Sequence, residues 1–150
     1  MSVTTHPEVT SRSLTPARVD VCVVDDEPAM LEMLSATLEN FGYHALATSD
    51  PEEALRYVSA EKCRIVLCDL KMPGMSGLEF LERALREDPG VYVILMTGFY
   101  SIESAIEAVK HGAFDYLPKP LDRQRLKKTI DDQPNSSTAE KEFMSSRSDW

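Results

Sequence analysis

A chain of 150 residues that is 43% hydrophobic and 27% charged has the make-up of one globular domain, which excludes collagen-like, low-complexity and wholly disordered polymers. Its longest apolar run, 91–96, is too short to cross a bilayer, and the amino terminus lacks the apolar core of a secretion signal, so neither membrane insertion nor export is expected. The net charge of -9 disfavours nucleic-acid binding through bulk charge, and three cysteines (Cys22, Cys63, Cys68) without metal-ligand spacing point to reduced thiols in a cytoplasm.

Residues 1–18 hold seven Ser/Thr and two Pro without periodicity and read as a disordered tail. Residues 133–150, with six Ser/Thr and Pro134, read as a second tail or the start of a linker. Between them, 19–132 is the expected domain and carries the whole -9. Val19 to Val24 is a short apolar run, the mark of a buried strand. Pro28 opens a helix with Leu31, Leu34, Leu38 and Phe41 on one face, closed by Gly42. Tyr43 to Ala47 is a weaker second strand. Asp50 caps the next helix, with Pro51 at its first position and Ala54, Leu55 and Val58 facing inward. Arg64 to Cys68 is the third strand. Ser76 and Glu79 form a capping-box pattern before a helix whose expected inner face is Leu78, Leu81 and Leu85. Asp88-Pro89-Gly90 turns the chain into a fourth strand, Val91 to Met96, apolar throughout and expected to be central. Ser101 caps a fourth helix, read as facing inward through Ile102, Ala105, Ile106 and Val109 and ended by Gly112. Ala113 to Leu117 is the fifth strand, and Leu121 to Ile130 a charge-rich last helix.

Strand and helix alternating five times with short connections implies a parallel sheet covered on both faces. Right-handed crossovers leave a doubly wound, flavodoxin-like sheet of order 2-1-3-4-5 as the best fit. Ligands of such sheets bind beyond the carboxyl ends of the strands. There the sequence sets Asp25, Asp26 and Glu27 after the first strand, Asp69 after the third, Thr97 after the fourth and Lys119 after the fifth. Three carboxylates in one cleft repel unless their pKa values rise or a cation joins them, and a hard ion such as Mg2+ suits an all-oxygen set. With an amine and a hydroxyl beside them, the arrangement suits phosphoryl transfer, Asp69 being the natural nucleophile.

These motifs resemble the receiver domain of two-component response regulators over roughly residues 19–132. The matching segments, in order, are Val24-Asp25-Asp26-Glu27, Asp69-Leu-Lys-Met-Pro-Gly-Met-Ser-Gly77, Met96-Thr97-Gly98 and Tyr116-Leu-Pro-Lys-Pro120. The resemblance implies that Asp69 accepts a phosphoryl group from a sensor histidine kinase. It also implies that Asp25, Asp26, Asp69 and the backbone carbonyl of Lys71 hold Mg2+, and that Thr97 and Lys119 hold the phosphoryl group while Tyr116 is the aromatic switch. It further implies a cis Lys119-Pro120 bond. The stretch Thr97–Pro120 looks most like receivers of the NtrC-like, enhancer-binding activators. No ATPase phosphate loop of the GxxxxGK[ST] type occurs, so the chain reads as a single-domain regulator or an excised receiver.

The expected function is a phosphorylation-dependent switch in the cytoplasm, not an enzyme in its own right. Phosphorylation would draw Thr97 in and let Tyr116 rotate, shifting the surface of the fourth helix, fifth strand and fifth helix that controls an output domain or effector protein. One bond to a charged acceptor, about 1.5–3 kcal/mol, moves a two-state equilibrium by roughly 10- to 100-fold. A phosphorylation-dependent homodimer is one form of readout. Phe99 and Lys71 flank the site and are expected to tune water access. The basic last helix (Arg123, Arg125, Lys127, Lys128) reads as a solvated face, with kinase docking or dimerisation as the sharper alternative. The rival reading is a Mg2+-dependent phosphatase or phosphotransferase of the haloacid-dehalogenase type, although that family keeps its nucleophile after the first strand. A flavin-binding domain would need a Ser/Thr/Gly loop where this chain has Asp25 and Asp26.

Overall fold

Val21–Val24 forms β1, and Pro28–Asn40 forms α1, with Pro28 in the first turn, where its missing N–H loses no bond. Ala45–Thr48 is β2 and Pro51–Ser59 is α2. Ile65–Asp69 is β3 and Gly77–Glu87 is α3. Tyr92–Thr97 is β4, Ile102–Lys110 α4, Asp115–Pro118 β5 and Arg123–Asp131 α5. This computed structural model describes residues 17–133; the remainder of the two expected tails lies outside the described residues. Gln133, placed at the head of the second tail, is buried. No helix among the described residues is long and apolar enough to cross a membrane.

The five strands are parallel in the order β2-β1-β3-β4-β5, the order the sequence implied. Each strand begins or ends within two residues of its expected bounds, the shift being toward the carboxyl end, so that Asp69 and Thr97 are strand residues. Side chains alternate across the sheet. On one face Cys22, Val24, Val66, Cys68, Val93, Leu95 and Tyr116 meet α2, α3 and α4; on the other Val21, Val23, Ile65, Leu67, Ile94, Met96 and Leu117 meet α1 and α5. Burial on both faces explains the unbroken apolar runs of β1, β3 and β4. All three cysteines are free and buried.

Capping follows the sequence closely. The Asp50 carboxylate accepts from the Glu52 N–H at 3.0 Å. Ser76 and Glu79 exchange both bonds of a capping box, and Ser101 Oγ accepts from the Ser104 N–H. Two helix faces differ from expectation. In α3 the buried residues are Gly77, Phe80, Leu81 and Ala84, with Leu78 and Leu85 only partly covered. Phe80 fills more of the core than the leucines that flank it, and its burial turns the helix about its axis. In α4 the expected inner face is turned outward: Ile102, Ile106 and Val109 are 72%, 51% and 62% exposed, while Ala108 is buried and Ala105 half-buried. The small alanines let α4 sit close to Tyr116, and the larger aliphatic side chains are left in solvent.

Candidate functional site

Parallel strands with level registers deliver their carboxyl ends to one rim. Val24 pairs with Cys68, Asp69 with Met96 and Thr97 with Pro118, so the residues that follow converge. Asp25 leaves β1 fully buried, its N–H bonded to the Thr48 carbonyl at 3.3 Å and its Oδ1 accepting from the Glu27 N–H at 3.0 Å. Asp69 closes β3 and is held there from behind. A Cβ on Gly77 would lie 2.7 Å from the Asp69 carbonyl oxygen and 2.8 Å from Leu70 Cα, so only glycine lets α3 start this close to the strand end. The Gly77 N–H donates to the Leu70 carbonyl at 2.7 Å, fixing that approach.

Lys119 follows β5, and its peptide bond to Pro120 is cis, as expected. Its N–H donates to the Thr97 carbonyl at 2.7 Å, and its ammonium reaches back across the rim. Nζ lies 2.9 Å from Asp25 Oδ2, 3.1 Å from Asp69 Oδ1 and 3.9 Å from Glu27 Oε1. One cation therefore bridges carboxylates 44 positions apart in sequence. Asp25, Asp26 and Asp69 each offer an oxygen within 4.8 Å of the others, Asp26 from an exposed position. Burial holds the Asp69 carboxyl above the usual range; Asp25 and Asp26 push the same way, and the Lys119 bond offsets part of this. Burial by itself would lower the Lys119 pKa, but its bonds to Asp25 and Asp69 outweigh that and raise it.

These three carboxylates fit a magnesium ion: the donors are hard oxygens, and three negative charges against one ammonium leave an excess of -2 that a divalent cation balances. Asp25, Asp26 and Asp69 are the side chains that would hold it.

Thr97 is 2% exposed, and its Oγ1 accepts from the Phe99 N–H at 3.0 Å. Lys71 and Phe99 do flank the rim: the Lys71 ammonium sits 4.9 Å from the centroid of the Phe99 ring. Tyr116 is buried in β5 with its hydroxyl donating to Ser104 Oγ of α4 at 2.8 Å and its ring 5.2 Å from that of Tyr100. Sequence reasoning passed over Ser104, since a hydroxyl in a helix carries no signal of its own until the packing shows what faces it.

A family model described as the response regulator receiver domain matches residues 21–131. The chain belongs to this family. The receiver is similar to the transcriptional regulatory protein ZraR of Salmonella typhimurium, 38% identical over 114 residues, which are 76% of this chain and 26% of that protein. It is also similar to the nitrogen assimilation regulatory protein NtrX of Azorhizobium caulinodans, 36% identical over 71% of this chain and 24% of that protein. The chain thus spans about a quarter of the length of the curated relatives it matches. These relatives are NtrC-like regulators, the subclass the Thr97–Pro120 stretch resembles. Among solved structures, a response regulator receiver domain from Clostridium thermocellum shares 31% identity at a TM-score of 0.72, covering 86% of this chain and 98% of that one. The beryllofluoride-activated NtrC4 receiver domain dimer shares 34% at 0.69, covering 74% and 92%. The receiver is thus a phosphorylation-dependent signalling switch rather than an enzyme of metabolism, and the haloacid-dehalogenase alternative is set aside.

Proposed function

We propose that Asp69 is the phosphoryl acceptor of this receiver and that a sensor histidine kinase is the donor. An Asp69 carboxylate oxygen attacks the phosphorus of a phosphohistidine in line, the new O–P bond forms as the P–N bond breaks, and the imidazole leaves. Supporting this reading is the Lys119 ammonium, which touches Asp25 and Asp69 together and so lies where a phosphoryl oxygen on Asp69 would need a counter-charge. When bound by Asp25, Asp26, Asp69 and the Lys71 carbonyl, Mg2+ would neutralise charge on the transferring group. Thr97 donates its hydroxyl hydrogen to a phosphoryl oxygen, for which that hydrogen is free, since Oγ1 only accepts from the Phe99 N–H. Tyr116 then follows into the space vacated, giving up its bond to Ser104 and moving α4. The receiver promotes only its own phosphorylation and dephosphorylation.

The unit that carries this function is 19–132, and the face built from α4, β5 and α5 controls an output domain or effector, in keeping with a role in transcription regulation. A phosphorylation-dependent homodimer and a cytoplasmic location, the latter in keeping with three unoxidised thiols, belong to the same proposal. The test is to incubate the chain with Mg2+ and a small acyl-phosphate donor and measure its mass. A gain of one phosphoryl group that disappears in Asp69→Asn supports the proposal; an unchanged mass at every Mg2+ concentration overturns it.

A further inference from the structure

Two hydroxyl groups take part in the switch, and their bonding differs. Thr97 Oγ1 only accepts, from the Phe99 N–H, so its hydrogen reaches a phosphoryl oxygen without breaking a bond. The Tyr116 hydrogen is already engaged: the hydroxyl donates to Ser104 Oγ at 2.8 Å, and this bond joins β5 to α4. The energy of leaving the unphosphorylated arrangement is therefore set at Tyr116 and at whatever holds its acceptor.

What holds Ser104 is the cap of its own helix. Ser101 Oγ accepts from the Ser104 N–H at 3.1 Å, and Ser104 Oγ donates to the Ser101 carbonyl at 3.2 Å. The two serine hydroxyl oxygens also lie 2.8 Å apart. With its hydrogen on the carbonyl, Ser104 Oγ accepts from both Ser101 and Tyr116, which occupies its one hydrogen and both lone pairs. Tyr116 thus meets an acceptor that the helix cap fixes in place. Its side chain is also buried, with the Tyr100 ring 5.2 Å away in the segment that leads into α4. When Tyr116 leaves, Ser104 keeps its bonds to Ser101, so α4 loses that tie to β5 without losing its cap.

We infer that Ser104 is a positioning residue of the switch: a latch that holds Tyr116, and through it α4, in the unphosphorylated arrangement, and so sets how readily the receiver responds. For the phosphorylation step this rests on the function proposed above; the latch itself rests on the bonds among Tyr116, Ser104 and Ser101. One neutral hydrogen bond present on only one side of a two-state equilibrium displaces it by about fivefold. A chain without the latch populates the competent arrangement more, and its apparent reactivity rises by the same factor.

The test is a double-mutant cycle of Ser104→Ala and Tyr116→Phe in the full 150-residue chain, with two readouts. One is the rate of phosphoryl gain from a small acyl-phosphate donor with Mg2+, followed by mass. The other is amide hydrogen exchange along 102–110 in the unmodified chain. Ser104→Ala is expected to raise both about fivefold and to add nothing in the Tyr116→Phe background, whereas Ser104→Thr, which keeps the hydroxyl, follows the parent protein. A residue that merely stabilised α4 would speed exchange without speeding phosphorylation, and its effect would persist in Tyr116→Phe. Ser104→Ala with neither rate raised, or with its full effect added to that of Tyr116→Phe, overturns the latch. Phosphoryl gain in the parent protein that is no faster in Ser104→Ala overturns the latch and leaves the proposed function standing. No phosphoryl gain in any of the chains overturns the function, and the exchange cycle then decides the latch by itself.

Discussion

Glu61 holds a left-handed backbone conformation with φ of +58°, which L-residues other than asparagine and aspartate seldom adopt. The reason lies in how α2 ends. The Lys62 N–H donates to the Tyr57 carbonyl and the Glu61 N–H to the Val58 carbonyl, the paired bonds of a Schellman turn. The same pair of bonds closes α1 at Gly42 and α4 at Gly112, where φ is +97° and +100° and no Cβ is strained. Glu61 is exposed, and among the described residues its side chain forms no bond that would offset the strain. The Glu61→Gly variant is therefore expected to be more stable by up to about 1 kcal/mol, the relief of the left-handed penalty less the added chain entropy of glycine. Urea unfolding of the two proteins measures it; equal or lower stability of the variant shows that the turn is not strained. At this scale the sequence announced the glycine ends of α1 and α4 but not that of α2, because glutamate at such a position bears no turn signature.

Helix α5 is fastened to the opposite end of the sheet by side chains rather than by a strand. The Tyr43 hydroxyl donates to Asp131, the Lys127 ammonium pairs with the same carboxylate at 2.7 Å, and Arg123 lies 5.0 Å from the centroid of the Phe41 ring. Burial first, then the Asp131 bond, raise the Tyr43 phenol above its ordinary pKa. Its neutral form is thus favoured in the fold, so its stabilising contribution is complete below the unfolded value near 10 and is lost as pH climbs above it. Tyr43→Phe is expected to lose about 1 kcal/mol at neutral pH, with the deficit shrinking above about pH 10 as the parent protein weakens. Unfolding midpoints across that range decide the matter, and a deficit that does not change with pH speaks against the bond. Periodicity located all five helices to within two or three residues, yet it misassigned the face of α4 and, in α3, found Leu81 with its partly covered neighbours Leu78 and Leu85 but missed Phe80 and Ala84. A helix with apolar residues on more than one side offers two phases to the eye. Which phase turns inward depends on the shape of the sheet beneath, here on room for Phe80 and on alanines against Tyr116.

For the molecule as a whole, the rim was legible because it depends on strand order alone. Once β1 and β3 are neighbours, the residues after them must meet, and Asp25, Asp26, Asp69, Thr97 and Lys119 were placed without any side-chain detail. What strand order could not show is where each hydroxyl points: Thr97 toward Phe99, Tyr116 toward Ser104. The rim also concentrates the charge imbalance of a chain at -9. Asp69 holds its proton more tightly in the fold than out of it, through burial and the repulsion of Asp25 and Asp26, so its ionised form works against folding at neutral pH. Asp69→Asn is accordingly expected to be at least as stable as the parent protein without divalent ions. Magnesium should reverse the order. An ion bound only by the folded chain stabilises it by about 1.4 kcal/mol at ten times its dissociation constant, and the Asn variant, lacking one of three carboxylates, needs far more ion for the same gain. Urea unfolding at rising Mg2+, with the same series in Asp26→Ala, measures both effects. Parallel curves for all three proteins would mean that the ion binds elsewhere and that the acidic rim owes its charge to something other than a metal.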